Sequence, residues 1–125
     1  MLPHYVAIGL GGALGAMARV WLSNNLPGAI MGVPISILIV NVLGCFVMGL
    51  LTELLAFYWT ISDNMRYLLI AGFLGGFTTF STFALEFGLL YEKQLYIHAI
   101  IYATLSFVLS ITLFFIGMKV VRYFN

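Results

Sequence analysis

The chemistry open to this chain is concentrated in one stretch, GGFTTFSTFALEF at residues 75–87. Three kinds of group meet there: backbone carbonyls released wherever a helix is interrupted, hydroxyls that donate hydrogen bonds, and the carboxylate of Glu86. Released carbonyls suit a hard cation, while hydroxyls and the positive edges of phenyl rings suit a small anion. A carboxylate held away from water suits proton exchange.

Spacing sharpens these options. Gly75 and Gly76 precede Phe77, Thr78 and Thr79, and paired glycines weaken a helix while threonine side chains compete for its backbone. A break in the helix is expected here, with carbonyls free to hold an ion such as Na⁺. Phe80, Phe83 and Phe87 follow at i, i+3 and i+7, beside a stripe of Thr79, Thr82 and Glu86 with Ser81 between. Phenylalanine at helical spacing ordinarily faces lipid or core, but here the rings alternate with hydroxyls that lipid would waste. Asn41, amid Ile37–Val40 and Val42–Leu43, has two readings: an interhelical hydrogen bond, or a donor amide facing a path. Tyr102, Ser106 and Ser110 stand at i, i+4 and i+8. Each serine alone would commonly bond its own backbone; three hydroxyls in register make a polar face.

The elements that must position these groups are membrane helices. With 63% hydrophobic and 7% charged residues in 125, the composition excludes an ordinary soluble domain. The fold expected is an all-α membrane protein of a single integral domain, 1–125, with four transmembrane helices at about 4–24, 34–59, 67–91 and 94–122. The third is expected to be broken near mid-span. The first lacks a positive leader and a cleavage site and is expected to be retained as a span. Gly9, Gly11, Gly12, Gly15, Ala16, Gly44 and Gly49 would allow close helix packing. Four helices of so small a chain leave no room for an aqueous lumen, so a path would lie between subunits.

Charge adds a topological expectation. Arg66, Lys119 and Arg122 fall on the side of the termini, against Lys93 and Arg19 on the other. So small a bias predicts insertion in both orientations and an antiparallel homodimer. A net charge of +1 offers no basic surface for nucleic acid. Cys45 is the sole cysteine, which leaves no intrachain disulfide, and its expected role is small apolar filler. His4 and His98 lie near span ends and are assigned to interfacial packing. No phosphate loop, triad or metal-ligand spacing is present, so catalysis is not expected.

The string Gly75-Gly76-Phe77-Thr78-Thr79-Phe80-Ser81-Thr82-Phe83, with Gly11-Gly12, Arg19, Asn41 and four spans, resembles the Fluc/CrcB fluoride channels along essentially the whole chain. The resemblance implies a passive, selective fluoride channel that exports cytoplasmic fluoride. It further implies a dual-topology homodimer with two antiparallel pores in a bacterial cell inner membrane. A central structural Na⁺ would be held by the carbonyls of Gly75 and Thr78 from both subunits. Phe80 and Phe83 match ring edges that face fluoride, Asn41 the pore amide, and Ser81 and Thr82 hydroxyls near the ion. Tyr102, Ser106 and Ser110 match a polar track on the fourth helix. Arg19 and Glu86 match positions with vestibule or structural duties. Phe114 stands where that track tends to continue with a hydroxyl, and Leu109 where a glycine often precedes the serine. The rival reading is a small four-helix, dual-topology, proton-coupled multidrug antiporter, which needs an embedded carboxylate that the first span lacks; Glu86 would have to serve. A non-conducting accessory subunit is a third.

Overall fold

The four apolar runs form the four helices that carry the structure. The computed structural model describes residues 2–124. Helix α1 spans Leu2–Asn24, α2 Ser36–Phe57 and the last helix, α6, Tyr96–Phe124. Between them the third span, Asp63–Glu92, is built in pieces: a turn α3 (Asp63–Arg66), a widened π-helical segment (Tyr67–Leu74), a turn α4 (Gly75–Phe77) and helix α5 (Phe80–Glu92). All four runs are long and apolar enough to cross a membrane, and helices satisfy the backbone where lipid offers no hydrogen bonds. The chain is a multi-pass membrane protein.

Local chemistry sets the ends. Ser62 caps the third span by accepting from the Met65 N–H, with Asp63 in the first turn where the helix dipole favours an acid. The span closes after Glu92, where Gln94 takes a left-handed φ of 61° and Leu95 N–H donates to Leu90 C=O. The loop after α1 holds a small antiparallel hairpin, β1 (Ala29–Ile30) with β2 (Val33–Pro34). Its tip needs left-handed backbone at Met31 and Gly32, and Gly32 rests on the His98 ring.

Two helix pairs make the body. In the first, α1 lies against the third span. Its face Gly11, Gly15, Arg19 repeats every four residues, and β-carbons on the two glycines would run into backbone of Leu68, Phe73 and Phe77. Small residues therefore let two backbones touch. In the second pair, α2 lies along α6, with Gly49 against the Phe114 carbonyl and Gly117 against the Phe46 carbonyl. Val33, Leu38, Leu90, Ala99 and Tyr102 form a buried core, and Leu109 packs against it. Leu109 also lines a groove between α2 and α6 with Val42, Phe46 and Leu113. His4 meets Tyr67 ring to ring at 4.8 Å, in keeping with interfacial packing.

Two features of the third span add detail to the expectation. The π-helical turns have no signature in the residues; they lie against α1, where Gly72 meets Ile8 and Gly11 backbone. The expected break is present, and within the stretch 75–79 it falls at Thr78 and Thr79, whose ψ angles of 153° and 122° are extended. Gly75 is helical, with φ −61° and ψ −38°. Gly76 is needed for closeness, since a β-carbon there would strike Gly12 backbone.

The contact between α1 and the third span is directly testable. Gly15→Ala should lower stability by about 1–3 kcal/mol through overpacking against backbone, read as a lower melting temperature in detergent. Gly9→Ala, where nothing lies within 4 Å, should leave it unchanged or slightly raised.

Candidate ion pathway

At the break the backbone is held by side chains from two other helices. Asn41 of α2 donates from Nδ2 to the Thr79 carbonyl at 2.9 Å and accepts from the Thr79 N–H at Oδ1 at 2.8 Å. One amide thus replaces both ladder bonds that the extended residue has lost. Arg19 of α1 donates from Nε to the Gly76 carbonyl at 3.2 Å. Thr78 bonds back to Leu74 C=O at 2.9 Å. Thr79 is the N-cap of α5, its hydroxyl accepting from the Thr82 N–H at 3.2 Å. These contacts explain the position of the break: polar side chains supply an alternative to the helix ladder at Thr79 and stop it there.

Below the break a cleft of about 380 Å³ opens between α2, α5 and α6. Asn41, Phe80, Phe83, Ser106 and Ser110 line it with Cys45, Thr78, Thr79, Phe107 and Ile111. Five of the eight residues expected along a path therefore meet in one place. The two readings of Asn41 combine, because the amide bonds the neighbouring backbone and still lines the cleft with one N–H to spare. Ser106 is 8% exposed, and its hydroxyl has no partner among the described residues. The back-bond to its own helix that is ordinary for serine is not made. Phe80 is 78% exposed, and its ring stands 5.4 Å from Phe83.

The remaining expected residues lie elsewhere. Ser81 and Thr82 turn their hydroxyls onto Thr79 Oγ1, at 3.2 and 3.3 Å. Tyr102 is fully buried and donates its hydroxyl to Glu86 Oε2 at 2.6 Å, beyond the Phe83 ring that it meets at 5.1 Å. That short bond to a carboxylate is of the strong, charge-assisted kind. It gives Glu86 a hydrogen-bonding duty and takes the one proton Tyr102 can donate. Arg19 sits behind the break. Gly75 is on the surface, with open space at its β-carbon position apart from Ile70 O at 3.7 Å.

The family described as CrcB-like protein, Camphor Resistance (CrcB), matches residues 6–118. The chain belongs to the CrcB family. Relatives agree over nearly full length: it is 43% identical over 117 residues to Fluoride-specific ion channel FluC 1 of Staphylococcus aureus (strain NCTC 8325 / PS 47), covering 93% of this chain and 94% of that one. It is 41% identical over 121 residues to Fluoride-specific ion channel FluC of Chelativorans sp. (strain BNC1), covering 95% and 96%.

One polar contact of this CrcB-family chain is not foreseen from the residues. Glu53 of α2, 2% exposed, is ion-paired through Oε1 with Arg122 Nε of α6. The two are far apart in sequence, and Arg122 reads as a topological charge at a span end. The signal available was Glu53 itself, a carboxylate inside an apolar run, which requires a partner. Cys45 also borders the cleft.

The Asn41 clamp generates a clear expectation. Asn41→Leu should cost about 1–3 kcal/mol for each Thr79 backbone group left unpaired, measured as thermal unfolding in detergent. Asn41→Asp keeps an acceptor for the N–H but sets a carboxylate oxygen against the Thr79 carbonyl in an apolar interior, so it should cost at least as much as Asn41→Leu.

Proposed function

We propose that this chain is a subunit of a passive, fluoride-selective channel in a bacterial inner membrane, and that the cleft between α2, α5 and α6 is the fluoride path. Support comes from its relatives, named fluoride-specific ion channels, together with one observation in this chain: the buried hydroxyl of Ser106, without a partner among the described residues, in a cleft that Asn41 also lines. A bare anion entering low dielectric is held only if donors replace its water. Ser106, Ser110 and the spare Asn41 N–H donate hydrogen bonds, and the edges of Phe80 and Phe83 add partial positive charge. No lysine or arginine lines the cleft, so each contact is modest and no deep trap arrests the ion. Tyr102 and Glu86 belong to the support of this lining: their mutual bond fixes the wall behind Phe83.

The path is completed, in this reading, by a second copy packed antiparallel, which gives two pathways per dimer. Phe80 and Gly75 stand exposed beside the break, where such a copy would cover them. The Thr78 carbonyl leaves the helix direction at its extended ψ of 153°, and carbonyls at a helix break are suited to Na⁺. Gly75 and Thr78 of both subunits are the residues that would hold it, the ion supplying positive charge that ties the two breaks together. Removal of Na⁺ would then weaken assembly. The function is transport, with no reaction catalysed.

Fluoride efflux from liposomes carrying the purified chain, started with a K⁺ ionophore and read by a fluoride electrode beside a chloride control, tests the reading. Rapid fluoride release without chloride release is expected; folded protein that releases neither would refute it. Phe80→Ile and Phe83→Ile should each slow fluoride release roughly ten-fold while assembly persists, since size is nearly kept and the positive ring edge is lost.

A further inference from the structure

Glu53 and Arg122 do more than neutralise each other. The Glu53 carboxylate is buried, its Oε1 accepting from Arg122 and its Oε2 without a partner among the described residues. Arg122 is 56% exposed, so the guanidinium reaches inward from the end of α6 to meet it. Separating the two would leave an uncompensated buried charge, which is why such pairs hold their geometry.

The pair also has a place in the register of two helices. The offset of 69 residues between Glu53 and Arg122 is the same as that between Asn41 and Ser110. As second and fourth spans of a four-span chain, α2 and α6 cross the membrane in the same direction. Equal offsets therefore place the ion pair and the two cleft residues Asn41 and Ser110 in one register, at two levels 12 residues apart on each helix and so about 18 Å apart along it. Between these levels the closest backbone approaches are Gly49 against the Phe114 carbonyl and Gly117 against the Phe46 carbonyl. Glycine against backbone sets how near the helices come, but it supplies no directional bond that resists sliding. The ion pair does.

We propose that the Glu53–Arg122 clasp fixes the register of α6 on α2 and, through it, the width and donor spacing of the cleft at Asn41, Ser106 and Ser110. Glu53 and Arg122 are then positioning residues for selectivity, although neither lines the cleft. This rests on the reading of that cleft as the fluoride path.

The experiment is the fluoride-to-chloride flux ratio in liposomes, per unit of folded, assembled full-length protein. A purely structural role would change the yield of folded protein and leave this ratio alone. Arg122→Gln and Glu53→Gln should each lower the ratio roughly ten-fold, the scale of coupling between contacting groups, and the double variant should lower it little further. Arg122→Lys should recover most of the loss. An unchanged ratio in folded Arg122→Gln overturns the proposal. Should Arg122→Gln not fold, Glu53→Leu with Arg122→Leu decides, since replacing both charges by apolar groups is commonly tolerated. That double variant should assemble with a lowered ratio; an unchanged ratio, or no assembly at all, overturns the proposal. A parent chain that passes no fluoride removes the pathway reading and this proposal with it, whereas a conducting parent with indifferent variants removes the proposal alone.

Discussion

A peptide unit cannot be left unpaired inside a membrane, and the architecture around the third span answers to that constraint. Thr79 has extended backbone at a depth where water is scarce, and its N–H and C=O are both satisfied by the Asn41 amide. That amide must arrive from α2 at the right height, so the position of α2 is tied to the break. Arg19 does the same from α1 by taking the Gly76 carbonyl. The interruption is thus a junction at which three spans are fastened. Because the fastening uses side chains, the backbone remains irregular where an uninterrupted helix would present only its sides.

Around this junction the packing separates two tasks. The pair of α1 with the third span is made by backbone lying on glycine, which gives a close and unadjustable contact. The pair of α2 with α6 uses two glycine contacts, leaving room on either side of them for side chains with chemistry. On one side lie the hydroxyls of Ser106 and Ser110; on the other lies the Glu53–Arg122 pair. Tyr102 and Glu86 bond behind Phe83 and keep a carboxylate away from the hydroxyls that line the cleft. In an apolar interior each of these polar groups would be costly alone, and nearly every one has been given a partner. The Ser106 hydroxyl and Glu53 Oε2 are buried without a partner among the described residues.

Much of this was legible in the residues. Four long apolar runs announced four spans because lipid imposes length and composition together. The hydroxyl stripe on the fourth span was visible through its spacing of four, and the embedded Asn41 stood out because nothing around it is polar. The exact height of the break was not legible. Glycines at 75 and 76 suggested it, yet helix and break are decided by which backbone groups find an external partner, and the Asn41 amide lies 38 residues away from Thr79. The Tyr102–Glu86 and Glu53–Arg122 bonds escaped for the same reason, since spacing within one helix says nothing about what stands opposite. The π-helical turns at Tyr67–Leu74 have no counterpart in composition at all; they follow from a backbone settling on the glycines of α1.

The cleft is open along the flank where Phe80 stands exposed. A lining that is open on one side offers an ion no continuous replacement for its water, so under the proposed pairing a solitary chain would pass no current. Wherever that flank is closed by another chain, leakiness begins only with assembly. Inheritance then follows an unusual pattern: a chain damaged on its covering surface but still able to associate would spoil the path of a sound neighbour, and such a defect would be dominant.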